Sequence, residues 1–127
     1  MRHKLPININ PLSIRLPITA LVSITHRLSG LLVFVLLPGV LWAFYHSLKS
    51  PESYAALRES LSTPWMAFLI WLMWSAFWFH LLAGVRHLLM DVHVGMSLIA
   101  ARRSAALVWV FTLAGSVGLA LRLMGAV

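Results

Sequence analysis

Two short segments carry side chains that could do chemistry within otherwise apolar sequence. The first is Ser23-Ile24-Thr25-His26-Arg27-Leu28-Ser29-Gly30. Ser23 and Arg27 are four apart, so on a helix they share a face. A hydroxyl and a guanidinium one turn apart can bind a carbonyl, carboxylate or phosphate oxygen. His26 is adjacent and Gly30 lies close to that face. The second segment runs from His80 through Gly84, Arg86 and His87 to Asp91. On a helix His80, Gly84, His87 and Asp91 fall on one side, with Trp71 and Trp78 roughly opposite. Those two indoles are expected to face lipid or a partner. A neutral imidazole is tolerable in hydrocarbon and is a good axial ligand for haem iron. Gly84 removes a side chain one turn from His80, so a flat macrocycle could come close. His87 lies about 10 Å further along the axis, where it could meet haem propionates together with His26 and Arg27.

Each of these residues also has a plain structural reading. Arg27 can snorkel from a helix end, and Ser23 can bond its own backbone. His80 can be hydrogen-bonded glue between helices. His87 can be interfacial, and Asp91 can pair with Arg86 or act as a helix-end charge. His3, His46 and His93 read as interfacial.

The elements that position these segments follow from the distribution of charge. Stretches 28–48, 60–85 and 104–121 contain no Asp, Glu, Lys or Arg. A spanning helix needs about 20 apolar residues; the third stretch is short, and Arg122 near its tip can snorkel. The predicted helices run over approximately 17–48, 64–91 and 104–125, in one transmembrane domain covering 1–127. Pro17 suits a helix start, and Pro38-Gly39 should bend or loosen the first helix. A short interfacial helix is expected over 54–61, with Gly95 and the Arg102-Arg103 pair in the next connector. Three such stretches do not fit a secretory signal followed by a soluble domain.

Composition agrees. The chain is 61% hydrophobic and only 10% charged, with mean hydropathy +0.89; a soluble domain is about 25% charged. A soluble globular enzyme and a disordered chain are both excluded. The net charge of +7 comes from thinly spread cations that read as membrane-flanking, so lipid is the expected partner and nucleic acid is not. With no Cys, the chain offers no thiolate to an iron–sulfur cluster, a zinc ion or a disulfide. Arg2, Lys4, Arg15, Arg27, Arg86, Arg102 and Arg103 fall on one predicted side, against Lys49, Arg58 and Arg122 on the other. That bias puts the N-terminus inside and the C-terminus outside. It also brings both chemical segments to one leaflet. The residues alone specify a site for an anionic or carbonyl-bearing ligand and a candidate haem ligand, and no named reaction.

A resemblance adds more. Ser23 to Gly30 resembles the S-I-x-H-R-x-[ST]-G signature of the cytochrome b membrane-anchor subunits of succinate dehydrogenase. His80 to Asp91 resembles their second signature, H-x-x-x-G-x-R-H-L-x-x-D, and neither stretch departs from its pattern. The lead-in Pro11-Leu12-Ser13 and Arg15 to Ala20 is similar to bacterial members. The resemblance implies an all-α integral membrane protein whose three transmembrane helices contribute to a heterodimeric haem-binding bundle in respiratory complex II. It makes His80 the axial ligand of haem b, Ser23 and Arg27 quinone-site residues, and His26, Arg27 and His87 neighbours of the haem propionates. Arg86 would be structural or propionate-facing. The implied partners are a second hydrophobic anchor subunit that supplies the other axial ligand, an iron–sulfur subunit and a flavoprotein subunit. Ubiquinone would be the substrate reduced, at the bacterial inner membrane, with the N-terminus cytoplasmic and the C-terminus periplasmic.

The residue chemistry is compatible with that picture. His80 is the only His deep in an apolar stretch, so a second axial ligand must come from another chain. Arg27 would polarise a quinone carbonyl and Ser23 would hydrogen-bond it, with protons arriving through water or partner residues. No flavin or dicarboxylate motif is present, so no succinate oxidation is expected of this chain alone. Two other readings remain: a haem-free structural anchor, and a small membrane transporter or channel subunit with Arg27 and His80 lining its path.

Overall fold

A computed structural model describes residues 16–125. Among them are four helices and no strand: α1 (Ile18–Lys49), α2 (Pro51–Leu61), α3 (Pro64–Asp91) and α4 (Leu98–Met124). Arg2, His3, Lys4, the Pro11-Leu12-Ser13 lead-in and Arg15 lie outside the described residues. α1, α3 and α4 are each long and apolar enough to cross a bilayer. At 1.5 Å per residue, the 28 residues of α3 make a rod of about 42 Å, longer than a hydrocarbon core of about 30 Å.

Local chemistry sets the helix ends. Pro17 is the N-cap of α1, and Pro64 opens α3, where a missing N–H costs nothing. The Ser50 hydroxyl caps α2 by accepting from Ser53 N at 3.1 Å. This starts α2 at Pro51, three residues before the segment expected from sequence. α1 continues as one helix through Pro38-Gly39, although Pro38 has no N–H to give the Phe34 carbonyl.

The third spanning helix starts earlier than expected. α4 begins at Leu98 rather than near residue 104, so Arg102 and Arg103 stand in its first turns and not in the connector. Ser97 provides the reason: its hydroxyl accepts from Ala100 N at 3.2 Å. Arginine is a good helix former, so a pair of charges marks the membrane boundary without ending the helix. α3 ends in a Schellman motif, with Val94 N donating to Leu89 O and His93 N to Met90 O, both at 2.9 Å. His93 takes the left-handed position at φ 65° that glycine usually fills.

α3 is the central helix and packs along both α1 and α4. The buried contacts are built from small residues, among them Ala76 and Ala83 on α3 and Ala101, Ala105 and Ser116 on α4. Small side chains let backbones approach closely, as membrane helix packing requires. Val22, Phe79, Ala83, Ala105 and Val108 form the buried apolar cluster, flanked by Ile18 and Leu82. Many large apolar side chains point outward, including Phe34 at 73% and Leu48 at 72% exposure. Outward apolar side chains suit a molecule whose solvent is hydrocarbon.

A polar seam joins α3 to α4. Trp71 Nε1 donates to Ser116 O at 3.1 Å, and the Ser75 and Ser116 hydroxyls are 2.8 Å apart. Trp78 Nε1 donates to Phe111 O at 3.0 Å. Its indole lies over Gly115, where a Cβ would stand 2.6 Å from Nε1. This corrects the expectation that Trp71 and Trp78 face lipid or a partner. They do lie opposite His80, but that side of α3 is covered by the chain's own α4, which offers carbonyl acceptors and a glycine notch.

Candidate functional site: three stacked imidazoles between α1 and α3

The site forms where the first third of α1 crosses the second half of α3. His26 sits eight residues into α1 and His80 eleven residues before the end of α3, so both rings lie well inside their helices. Two glycines make room. A Cβ on Gly30 would come within 2.8 Å of His80 Cε1, and one on Gly84 within 3.4 Å of His26 Nε2. Each ring therefore rests against the backbone of the opposite helix. The His26 ring stacks on His80 at a centroid distance of 4.1 Å and 11°, and on His87 at 4.9 Å and 18°. The stack brings together three of the residues singled out from sequence. The notch over Gly84, expected to admit a macrocycle, is faced by the His26 ring itself.

Hydrogen bonding assigns the ring protons. His80 Nδ1 lies 3.0 Å from His26 O and 3.2 Å from Ser29 Oγ. A carbonyl can only accept, so Nδ1 carries the proton and Nε2 presents a lone pair. Ser29 donates its own proton to His26 O at 2.8 Å, which leaves its oxygen lone pairs for His80. His87 Nδ1 donates to Ala83 O at 2.7 Å, again leaving Nε2 unprotonated in the neutral ring. His26 Nε2 is buried without a hydrogen-bond partner, and an orphaned buried nitrogen calls for a functional explanation.

Ser23 is half-buried and Arg27 exposed on the flank of this cluster, one turn apart. They make no hydrogen bond to each other. His80 bonds the carbonyl of residue 26, so the imidazole and Arg27 stand at the same level of the bundle. Both chemical segments therefore share one end of the molecule.

Arg86 is buried, donating from Nε to Ser104 Oγ at 3.0 Å and from Nη2 to Ala101 O at 3.2 Å. It clamps α3 to the start of α4. Asp91 is exposed at the end of α3 and does not pair with Arg86. His46 bonds Trp42 O at 3.0 Å and packs at a tilt against the Trp42 ring, away from the site. Sequence reasoning gave Ser29 no role. The usable signal was its place three residues after His26, where a serine hydroxyl can bond back to the preceding turn.

The donor set suits a haem. His80 has its proton held by two oxygens, leaving Nε2 free to bind iron, and this arrangement is typical of metal-bound histidines.

Comparisons with known proteins identify the family. Residues 1–119 match the family of succinate dehydrogenase/fumarate reductase transmembrane subunits. The chain is 36% identical over 111 residues to a succinate dehydrogenase cytochrome b556 subunit of Coxiella burnetii, covering 87% of this chain and 89% of that one. It is 34% identical over 108 residues to the subunit of the same name from Paracoccus denitrificans, covering 84% and 78%. With its three membrane-spanning helices and both signature segments at one end of the bundle, the chain belongs to the family of succinate dehydrogenase/fumarate reductase transmembrane subunits.

Proposed function

We propose that this chain is the cytochrome b anchor of a succinate dehydrogenase in a bacterial inner membrane, and that it helps carry electrons from the iron–sulfur subunit to ubiquinone. It would share a haem b with a second hydrophobic anchor subunit. The observation that carries this reading is the locked tautomer of His80, with Nδ1–H held by His26 O and Ser29 Oγ. The two relatives are named as cytochrome b556 subunits, which supports a b-type haem here.

In this reading His80 offers Nε2 to the iron. When bound, the haem would supply a one-electron redox centre. His26 and His87, stacked alongside His80, would face the propionates, and the second anchor subunit would supply the remaining ligand. Arg27 would balance propionate charge and polarise a quinone carbonyl. Ser23, one turn away, donates a second hydrogen bond to that oxygen. Fixed donors of this kind stabilise the negative charge that builds on the oxygen during reduction. Protons for the quinone arrive through water or partner residues. The N-terminus lies in the cytoplasm and the C-terminus in the periplasm. The flavoprotein subunit oxidises succinate, and this chain alone does not.

The test uses the purified complex. Dithionite-reduced spectra should show b-type bands that are lost or displaced in His80→Ala. Arg27→Ala should lose quinone reductase activity per bound haem by about a hundred-fold, as for one lost transition-state donor. Unchanged bands in His80→Ala would refute His80 as the haem ligand. Full quinone reduction in Arg27→Ala would refute the quinone assignment.

A further inference from the structure

The role of Ser29 goes beyond the ligand itself, and rests on the reading of His80 as that ligand. We propose that Ser29 is a positioning residue that sets how strongly His80 binds iron and how the site divides its preference between ferric and ferrous states.

Ser29 is buried, with 7% exposure, so water does not compete for its hydroxyl. The proton of Oγ is committed to His26 O at 2.8 Å. Toward His80 the oxygen can therefore only accept, at 3.2 Å from Nδ1. His26 O accepts from the same nitrogen at 3.0 Å. Three atoms thus form a closed triangle in which one N–H is shared between two oxygens. Its first consequence is geometric. Two acceptors fix the rotation of the ring, which Gly30 on one side and the His26 ring on the other hold in place. Its second consequence is electronic. Pulling on Nδ1–H makes Nε2 a stronger electron donor. A stronger donor favours the more positive iron and lowers the reduction potential.

The experiment compares Ser29→Ala, Ser29→Thr and His80→Ala in the purified complex. Haem per complex is measured after gel filtration, and the midpoint potential by redox titration followed at the haem band. Ser29→Ala should weaken haem retention roughly ten-fold, the lower end of the range for lost outer-sphere partners, because the His26 carbonyl remains. Its potential should move in the positive direction; a ten-fold loss of ferric preference corresponds to about 59 mV. Ser29→Thr keeps the hydroxyl and should restore both values. A merely structural serine would lower complex yield without moving the potential of the haem that remains.

Wild-type retention and potential in Ser29→Ala overturn the proposal, as does a Ser29→Thr complex shifted as far as Ser29→Ala. If His80→Ala changes the spectrum while Ser29→Ala keeps wild-type retention and potential, only the role of Ser29 fails. If His80→Ala changes nothing, the haem reading beneath it fails.

Discussion

Replacing Gly30 by alanine probes the close crossing of α1 and α3. The new Cβ would stand 2.8 Å from His80 Cε1 and 3.2 Å from Nδ1. Carbon atoms rest at about 3.5–4.0 Å, so the ring must move by more than half an ångström. It cannot retreat freely, because the His26 ring is stacked on it at 4.1 Å. Overpacking of this kind costs about 1–3 kcal/mol. Displacing Nδ1 from His26 O and Ser29 Oγ costs about 1 kcal/mol more. The helix gains back about 1 kcal/mol, because alanine is a better helix former than glycine. The net loss is about 1–3 kcal/mol by the same principles, or roughly a 5- to 150-fold fall in the population of the native His80 pose. Gly84→Ala is the internal control. Its Cβ would stand 3.4 Å from His26 Nε2, a contact that a small ring shift relieves, so it should be neutral within about 1 kcal/mol. Both variants are assayed in the purified complex for haem content and for Tm in detergent. Gly30→Ala should lose haem and melt lower, while Gly84→Ala retains both. Equal behaviour of the two variants, or a wild-type Gly30→Ala, would refute the reasoning from contact distance.

Three further outcomes are expected. Arg86→Leu removes both bonds from α3 to Ser104 and Ala101 and should cost about 2 kcal/mol, read as a lower Tm; Arg86→Lys should recover little, since an ammonium cannot reproduce the guanidinium fork. Trp78→Phe deletes the donor to Phe111 O and should destabilise the complex by about 1 kcal/mol with an unchanged haem spectrum, because it acts on the α4 side. His93→Gly should raise Tm, because it releases about 1 kcal/mol of strain at a left-handed φ of 65°; a lower Tm would mean that the His93 side chain contributes contacts exceeding that strain.

The candidate site was unusually readable because it is polar chemistry set in hydrocarbon. Ser23, His26, Arg27, His80 and His87 stand out against stretches that can afford few such residues. An even number of crossings then puts both segments at one end, which the bond from His80 to the residue 26 carbonyl bears out. Other features were hidden. Ser29 stands in the first signature segment without a legible role, because one serine on an apolar helix most often bonds its own backbone. It does so here, and in the same position its oxygen also meets a ring from another helix. Of the two parts the sequence left open for Asp91, the fold takes the helix-end charge, because Arg86 finds a serine and a carbonyl on α4 instead.

Sequence alone determined that the chain crosses a membrane three times, which segments do so, and which polar residues stand inside them. Those properties follow from the local cost of placing charge and bare backbone in lipid. Tertiary structure alone decided that the three imidazoles stack, that Trp71 and Trp78 face α4, and which nitrogen of His80 carries the proton. These depend on what the facing helix presents: a glycine where a ring can settle, or a carbonyl within 3 Å. A helix's own periodicity says which residues share a side, but not which helix will cover it.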